Sequence, residues 1–382
     1  MAERFDVMFV GGGLQTCLAV LALAEVRPHA RVLVVEREAE LCGNHTWCCH
    51  ADDVPAELAA ALEPAIAHRW DGYDVAFPGF SRELASPYAC VTSASLVAAV
   101  RAALRPGFSI VTGAEAVEVG ARHVTLRDGR RFEAERVVDA RGPDRFATAA
   151  SGYQKFVGLE LALERPHGLT RPLLMDATLP QRDGFRFMYV LPLDAQRVLV
   201  EDTYFSDRPE LARAAIEAEV LRYACVRGFA VATVLRAEHG VLPLPLELPP
   251  DPSALDDGPI VAGYQGGWFH PTTGYSFPVA LRVAAFLARE VHLPDAGVRW
   301  QRLVTEHRRQ LIFALRLNRM LFRWFAPEDR HHVIERFYRL SEDAVRRFYA
   351  LRLTAGDRAR IMCGRPPRGL SWRAMLTGRS VA

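Results

Sequence analysis

The sequence predicts an α/β protein that combines a Rossmann-type dinucleotide-binding domain with a second, mostly antiparallel β-sheet domain. The N-terminus carries a short apolar run, three glycines, a helical pattern and a second apolar run ending in Glu36, which is the order of a dinucleotide-binding unit. Residues 184–191 place Phe185, Phe187 and Tyr189 at alternate positions, which indicates a strand with one apolar face. A chain of 382 residues is long enough for about two domains.

The glycine turn after the first strand fits a nucleotide site. Gly11 and Gly13 occupy the first two positions of a GxGxxG pattern, whereas Thr16 occupies the third. The first glycine makes the tight turn, and the second lets a pyrophosphate approach the N-terminus of the helix that begins at Leu14. Glu36 is placed to bond ribose hydroxyls, which favours FAD or NAD over NADP. We therefore expect Gly11, Gly13, Leu14 and Glu36 to contact the cofactor.

Later segments return to the same sheet and set the domain boundaries. Residues 136–142 form a strand pattern that ends in a turn at Gly142, and residues 259–263 form another before a helix over 279–292. The sequence predicts an FAD-binding domain over 1–150 with 258–298, a β-sheet substrate domain over 151–257, and a helical region over 299–382.

Residues 42–50, CGNHTWCCH, contain three cysteines and two histidines, which raises the question of a metal site. Cys48 and Cys49 are adjacent, so they cannot easily ligate one ion together, and no matching pair of ligands lies elsewhere. No metal site is predicted, and the cysteines are interpreted as small buried apolar residues. The stretch begins six residues after Glu36, where flavoproteins of the two-dinucleotide-binding type pass a loop along FAD, so we expect Asn44, His45 and Thr46 to lie near the cofactor.

Charge is distributed unevenly, although the net charge is only +2. Residues 299–382 contain 19 arginines and 7 acidic residues, and aromatic side chains lie between the arginines. This composition suits either a membrane surface or a solvated basic face on a helical cap. The chain has no apolar run of about 18 residues and no nucleic-acid readout motif. Its seven cysteines indicate free thiols in a reducing cytoplasm.

Several strings, in order over nearly the whole chain, resemble bacterial lycopene β-cyclases. They are GGGLQTCLAV, GNHTW, PHGLTRPLLMDAT, FRFMYVLPL, VLVEDTYFSD, FHPTTGYSFP and RFYRLSEDAVRRFYALRLTAGDRARIMCGRPP. The resemblance implies an FAD fold of the geranylgeranyl-reductase/hydroxylase type. It also implies that NAD(P)H reduces the flavin and that reduced FAD, the active form, stabilises a carbocation without net redox change. Each ψ end of lycopene would close to a β-ionone ring, giving γ-carotene and then β-carotene.

The implied reaction needs a buried carboxylic acid, because an acid at its ordinary pKa is ionised at neutral pH and cannot protonate a double bond. The acidic motif of the family falls on Glu201 and Asp202, whose side chains should point to opposite faces of one strand. The resemblance makes Glu201 the acid/base, and Asp202 is expected to hold structure or orient the loop. Asp176 is a weaker alternative for the acid.

Aromatic side chains and one glycine-containing turn complete the expected site. The stretch from His270 to Tyr275 resembles the turn that meets the flavin ring, so Gly274 and Tyr275 are expected at the cofactor. His270 is a candidate catalytic residue, with loop packing as an equal alternative. A carbocation is stabilised by π faces, and the candidates for substrate contact are Phe185, Phe187, Tyr189, Trp268 and Phe269.

The resemblance also implies a peripheral protein on the cytoplasmic side of the inner membrane, since lycopene resides in the bilayer, and other carotenoid-pathway enzymes as further partners. Two alternatives remain open from the sequence. One is an FAD-dependent prenyl reductase or aromatic hydroxylase of the same fold, which would not need a buried acid at Glu201. The other is a non-catalytic carotenoid-binding protein at the membrane surface, which would not need FAD.

Overall fold

The computed structural model describes residues 4–142, 151–249, 255, 258–363 and 366–377. Its strands are β1 Arg4–Val10, β2 Val32–Val35, β3 Thr46–His50, β4 His68–Trp70, β5 Tyr73–Phe77, β6 Phe80–Leu84, β7 Tyr88–Thr92, β8 Phe108–Val111, β9 Ala116–Val119, β10 His123–Leu126, β11 Arg131–Asp139, β12 Ser151–Leu163, β13 Leu173–Asp176, β14 Phe185–Asp194, β15 Arg197–Ser206, β16 Val231–Pro245 and β17 Ile260–Val261. Its α-helices are α1 Leu14–Val26, α2 Ala59–Leu62, α3 Ser93–Ala103, α4 Arg213–Val226, α5 Phe277–Arg289, α6 Ala296–Trp324, α7 Arg330–Phe337, α8 Glu342–Tyr349, α9 Ala355–Met362 and α10 Trp372–Thr377.

The first sheet is the predicted dinucleotide-binding sheet. Strands β8, β2, β1 and β11 run parallel in that order, and β17 adds in parallel to β11. Strands β10 and β9 extend the sheet with antiparallel pairing. The apolar runs in β1 and β2 are buried because helices α1, α3 and α5 share one core with this sheet, as expected for parallel strands that are covered by helices.

The second sheet has the order β16-β12-β15-β14-β13-β5-β6. Its pairs are antiparallel except β13 with β5, so the expected antiparallel sheet around β14 and β15 is confirmed. Strands β5 and β6 come from inside the 1–150 range, so strand pairing ties that range to the second sheet. The domain boundaries stay a prediction.

The two faces of the second sheet have different coverings. Helix α4, which the sequence analysis did not anticipate, packs Val220 and Tyr223 against Val198 and Val200 of β15. The opposite face carries Phe205, and the C-terminal helices pack side chains from α6, α7 and α8 on that side. Because neighbouring residues of a strand point to opposite faces, consecutive residues of β15 enter different environments.

A small third sheet, in the order β3-β7-β4, contains residues 46–50, of which Cys49 packs in the core of the first sheet and Cys48 in the core on the second. Helix α6, with 29 residues, is the longest described helix and begins the helical C-terminal region. In the part of the chain that the structure describes, no helix combines the length and the apolar content needed to cross a membrane.

Candidate active site

A continuous cavity of about 740 Å³ runs from the first sheet to the second. At one end it is bordered by the glycine turn after β1 and by the end of β2. At the other end it is bordered by β12, β14, β15 and β16, with the turn before α5 between the two ends. The nucleotide site and the candidate acid therefore belong to one space.

The glycine turn has the geometry of a pyrophosphate site. Gly11 has φ of 96°, and a Cβ there would lie 2.7 Å from the Ala140 oxygen, so only glycine fits. Gly13 is the N-cap of α1 and brings no side-chain cap, which leaves the first N–H groups of the helix available for an anion. A Cβ on Gly13 would meet no protein atom within 4 Å, so space remains next to these donors.

Thr16, which departs from the glycine pattern, is accommodated by a local hydrogen bond. Its Oγ1 donates to the Gly11 carbonyl oxygen at 2.6 Å, so the hydroxyl supports the turn from inside the first helical turn. The side chain is buried, and α1 nevertheless packs on the sheet. The departure at the third position therefore leaves the glycine turn intact.

Glu36 borders the cavity at the end of β2, as expected. Its Oε2 accepts from the Gly12 N–H at 2.5 Å, and its Oε1 accepts from the Glu38 N–H at 2.9 Å. The carboxylate is therefore fixed beside the helix N-terminus, where the ribose of a dinucleotide would lie. Leu14 and Gly142 also border this part of the cavity. Uncapped helix donors and a fixed carboxylate form a donor and acceptor set that fits FAD.

The turn before α5 forms the middle of the cavity wall. The His270 N–H donates to the Tyr275 oxygen at 2.8 Å, and the Gly274 N–H donates to the His270 oxygen at 2.9 Å, with Gly274 at φ of 66°. Gly274 and Tyr275 border the cavity, and Ser276 precedes α5 without a side-chain cap. Because Pro278 has no N–H, the Phe277 N–H is the donor that the start of α5 offers beside the cavity.

Four buried polar atoms in the cavity wall have no hydrogen-bond partner among the described residues. They are Gln15 Oε1, His50 Nδ1, Gln154 Oε1 and the Tyr264 hydroxyl, and all four side chains border the cavity. Buried polar atoms are rarely left unpaired, because desolvation without a partner is costly. His50 Nδ1 lies 3.5 Å from the Asp53 carboxylate, whereas the other three atoms are suited to bond a molecule that fills the cavity.

The loop that leads into β3 crosses the cavity, and both His45 and Thr46 border it. Burial lowers the pKa of His45, and the nearby Arg236 adds to the shift. Asn44 does not border the cavity; its Nδ2 donates to the Ala237 oxygen at 2.9 Å. Cys48 accepts a hydrogen bond from the Tyr189 hydroxyl at 3.0 Å. Among the described residues, no group of three or more potential ligands is arranged to hold a metal ion.

Glu201 lies in the wall of the cavity on β15. Burial raises its pKa to about 8, and the carboxylate of Glu238 is the next cause. A hydrogen bond from the Thr203 hydroxyl at 2.5 Å partly opposes the shift. A carboxyl group with such a pKa keeps a proton at neutral pH and can act as a general acid.

The neighbours of Glu201 on its own face form a row across the sheet. Tyr189 on β14 pairs with Glu201, Gly158 on β12 pairs with Glu201 from the other side, and Glu238 on β16 pairs with Gly158. Glu238 was not among the residues predicted from sequence, because nothing in the stretch around it indicates that it pairs with Gly158, 80 positions earlier. Only the strand register brings the two carboxyl groups together.

Asp202 lies on the opposite face of the sheet from Glu201. It accepts hydrogen bonds from Arg186 Nε at 2.9 Å and Nη2 at 2.7 Å, and from the Tyr204 hydroxyl at 2.9 Å. Asp202 and Arg186 are both fully buried. The structure therefore separates Asp202 from the cavity and places it in an ion pair. Asp176 is likewise engaged, since the Tyr223 hydroxyl of α4 donates to it at 2.7 Å.

The aromatic residues expected at the substrate divide into two groups. Phe187, Tyr189 and Trp268 border the cavity. Phe185 packs behind Phe187 with ring centroids 5.1 Å apart, and Phe269 stacks on Tyr264 at 3.8 Å, so neither belongs to the cavity wall. Further aromatic side chains border the cavity, among them Phe156, Phe205, Tyr88 and Tyr349.

His270 is buried outside the cavity wall. Its Nδ1 accepts from the Thr272 N–H at 3.1 Å, and its ring packs on Phe348 with centroids 4.4 Å apart. Burial lowers its pKa to about 3, so the ring is neutral at ordinary pH. The structure brings His270 to the base of the turn that carries Gly274 and Tyr275, where it supports the loop.

Comparison with known proteins identifies relatives over the full length. A family model described as lycopene cyclase protein matches residues 6–375. The chain is 41% identical to a lycopene β-cyclase of Pseudescherichia vulneris, with 97% of each chain covered. It is 40% identical to a lycopene β-cyclase of Paracoccus sp. strain N81106, with 95% of this chain and 94% of the relative covered.

Solved structures of similar fold are more distant in sequence. A geranylgeranyl bacteriochlorophyll reductase-like protein from Thermoplasma acidophilum has a TM-score of 0.57 at 16% identity, covering 98% of this chain and 95% of that one. A probable FAD-dependent monooxygenase from Pseudomonas aeruginosa has a TM-score of 0.57 at 17% identity, covering 82% of this chain and 100% of that one. These similarities concern the fold, and they confirm the expected reductase/hydroxylase architecture.

Proposed function

The chain belongs to the lycopene cyclase family, and from this membership and the site we propose that it is a lycopene β-cyclase. The observation that carries the proposal is the carboxyl group of Glu201, which keeps a proton in the wall of a cavity continuous with a nucleotide site. A redox flavoenzyme of the same fold would not require a buried acid at this position. An acid-initiated cyclisation requires one.

In the proposed reaction the substrate first accepts a proton from the enzyme and later loses one. The Glu201 carboxyl protonates the terminal double bond of a ψ end, and the internal double bond attacks the resulting tertiary cation to close the ring. Loss of one proton from the ring then forms the new double bond of the β-ionone ring. Because one proton enters and one leaves, the product is an isomer of the substrate. Lycopene would give γ-carotene and then β-carotene.

The wall around Glu201 suits a cationic intermediate. The π faces of Phe187, Tyr189 and Phe205 border the same space, and aromatic faces attract cations in a site without water. We propose these residues as the substrate contacts, whereas Phe185 supports Phe187 from behind.

FAD is the proposed cofactor. Gly11, Gly13, Leu14 and Glu36 would hold its pyrophosphate and ribose, and the start of α5 with Gly274 would lie against the flavin. When bound and reduced by NAD(P)H, FAD would supply negative charge beside the substrate cation and would leave turnover without net redox change. His270 supports the turn, and Asp202 holds β14 to β15 through Arg186.

We also propose that the C-terminal region docks on an anionic membrane surface. On α6 the side chains of Arg309, Ile312, Arg316, Arg319 and Arg323 recur at intervals of three or four residues, which places them on one outward stripe. None of these arginines forms a salt bridge with any residue the structure describes. Helix α10, which packs on α6, exposes Trp372 and Leu376.

A basic stripe with apolar side chains beside it is the composition of a surface that binds anionic lipids. Docking there would give the enzyme access to a substrate that does not dissolve in water. The corresponding location is the cytoplasmic face of the inner membrane, where other enzymes of the carotenoid pathway would be neighbours.

Turnover of lycopene in deuterated buffer tests the proposed function. The purified protein is incubated anaerobically with FAD, NAD(P)H and lycopene, and the products are separated by chromatography and weighed by mass spectrometry. A cyclase gives β-ring products that carry one solvent deuteron per ring. A hydrogenated or oxygenated product would instead show a redox flavoenzyme. A protein that binds carotenoid, retains no flavin and forms no product would be a carrier.

A further inference from the structure

We propose that Glu238 is a positioning residue that keeps Glu201 protonated, so that the two glutamates form a site that holds one proton. This inference rests on the proposed cyclase function. It concerns a residue 37 positions from Glu201 in the sequence, on another strand and outside the acidic motif. It identifies what sets the acid strength of the group that would start the reaction.

The strand register places the two glutamates on either side of a glycine. Gly158 of β12 is paired with Glu201 of β15 on one side and with Glu238 of β16 on the other. A Cβ on Gly158 would lie 3.4 Å from the Glu201 Cβ, and 3.2 Å from the Glu238 Cγ. The missing side chain leaves space for both glutamate side chains over the central strand.

The hydrogen bonds of the two carboxyl groups are unequal. Glu238 Oε2 accepts from Arg236 Nη1 at 2.7 Å and from Thr46 Oγ1 at 3.1 Å. Glu201 accepts from the Thr203 hydroxyl. A guanidinium partner stabilises an ionised carboxylate far more than a hydroxyl does. The negative charge therefore belongs on Glu238 and the proton on Glu201, since two neighbouring carboxylates resist ionising together.

The shifts in pKa agree with this division. After burial, Glu238 is the largest cause that raises the pKa of Glu201. Burial raises the pKa of Glu238 as well, but Arg236 and Thr46 act against that shift, whereas no cation is among the causes for Glu201. The pair thus behaves as two coupled carboxyl groups of unequal acidity.

Other titratable groups near Glu201 do not replace Glu238. On its own face, Tyr189 of β14 is neutral in its ordinary form, and Glu160 of β12 lies one row further along. Glu160 is bonded to Arg236 at 3.1 Å and also to Arg197. The remaining groups are Asp202, which lies behind the sheet, and His45, Cys48, His50, Tyr88, Tyr275 and Tyr349, which border the same cavity.

Arg236 also ties this pair to the loop that borders the nucleotide site. Its Nη1 donates to Asn44 Oδ1 at 2.8 Å, and its Nη2 donates to Thr46 Oγ1 at 2.8 Å. The loop residues expected at the cofactor therefore hold the guanidinium that holds Glu238. The position of this loop therefore helps to fix the guanidinium that stabilises the negative charge on Glu238.

The test compares the pH dependence of kcat/KM for lycopene in the wild type, Glu238→Gln and the control Glu160→Gln. Both substitutions remove one carboxylate bonded to Arg236, but only Glu238 is next to Glu201. The wild type should lose activity as the pH rises through about 8, where Glu201 ionises. In Glu238→Gln this loss should begin about one pH unit lower, so that activity at pH 8 is about fivefold below that of the wild type, and the difference at pH 6 is small. In Glu160→Gln, kcat/KM should be lost over the same pH range as in the wild type.

A second variant guards against a folding defect in Glu238→Gln. Gly158→Ala keeps both carboxyl groups but adds a methyl group 3.2 Å from the Glu238 Cγ and 3.4 Å from the Glu201 Cβ, which should move the two side chains apart. The loss of activity should then also begin at lower pH, while bound flavin is retained. If both variants instead lower activity by the same factor at every pH, so that activity is lost at the same pH as in the wild type, Glu238 is only structural and the inference is overturned. If the wild type forms no cyclic product, the proposed function fails instead.

Discussion

Glu201 and Asp202 are neighbours in the chain, but their carboxyl groups lie on opposite faces of the second sheet and have opposite surroundings. Glu201 faces the cavity and keeps a proton because burial and Glu238 raise its pKa to about 8. Asp202 is paired with the buried guanidinium of Arg186. One acid is therefore suited to chemistry, and the other holds two strands together.

Glu201→Gln should abolish cyclisation and leave the fold intact. The amide has nearly the shape of the acid but cannot protonate a double bond, and loss of a general acid typically costs a factor of about 10²–10⁴ in rate. Product formation from lycopene is measured by chromatography at pH 7, with bound FAD as the control for folding. Cyclic product at more than about a tenth of the wild-type rate would assign the acid to another group.

The same substitution should stabilise the protein at high pH. The pKa of Glu201 is about 8 in the folded state and 4.5 for an ordinary glutamate, so between these values unfolding releases a proton and the wild type loses stability as pH rises. The loss is about 1.4 kcal/mol for each pH unit. Thermal unfolding of wild type and Glu201→Gln should therefore differ more at pH 8 than at pH 5, in favour of the variant. An equal difference at both pH values would contradict the raised pKa.

Asp202→Asn should lower stability and move the pH profile of activity less than Glu238→Gln does, because Asp202 is the weakest of the causes that raise the pKa of Glu201. It leaves the buried Arg186 guanidinium with Glu219 as its remaining acidic partner among the described residues, and breaking a buried pair costs about 3–5 kcal/mol. Denaturant unfolding measures the loss. Glu219→Gln is the matched control, since its carboxylate is partly exposed and should cost about 1 kcal/mol or less. Equal losses in both variants would mean that Asp202 has no special structural role.

Local patterns made the first sheet predictable from sequence, and the resemblance to lycopene β-cyclases pointed to Glu201 as the acid. Glycine spacing identified Gly11 and Gly13, and strand alternation separated Glu201 from Asp202. The position of Glu238 depends on the register of three strands that are distant in sequence, which no local pattern encodes. Burial of Phe185 and Phe269 behind other rings has the same origin, because alternation predicts a face but not which side chain covers it.

Gly13→Ala should weaken FAD binding and leave the apoprotein stable. The new methyl group meets no protein atom within 4 Å and φ at Gly13 is −79°, so the substitution fills only the space beside the helix donors. We expect at least a tenfold higher Kd for FAD, measured from flavin fluorescence. Gly11→Ala is the contrast, because a Cβ there lies 2.7 Å from the Ala140 oxygen and should destabilise the fold itself. Unchanged FAD affinity in Gly13→Ala would indicate that the pyrophosphate does not bind at the N-terminus of α1.

The arginines of the outward stripe on α6 should provide much of the free energy of binding to anionic vesicles. Arg316→Gln with Arg319→Gln removes two cations that have no salt bridge within the described chain, and each arginine near an anionic surface contributes about 1 kcal/mol. The double variant should therefore bind vesicles that contain anionic lipid about 30-fold more weakly in a flotation assay. Arg299→Gln with Arg302→Gln is the matched control on the same helix, because both residues already pair with acids, at Asp295 and Glu306. If both double variants lose binding equally, net charge and not the stripe attracts the membrane, and if neither does, the docking surface lies elsewhere.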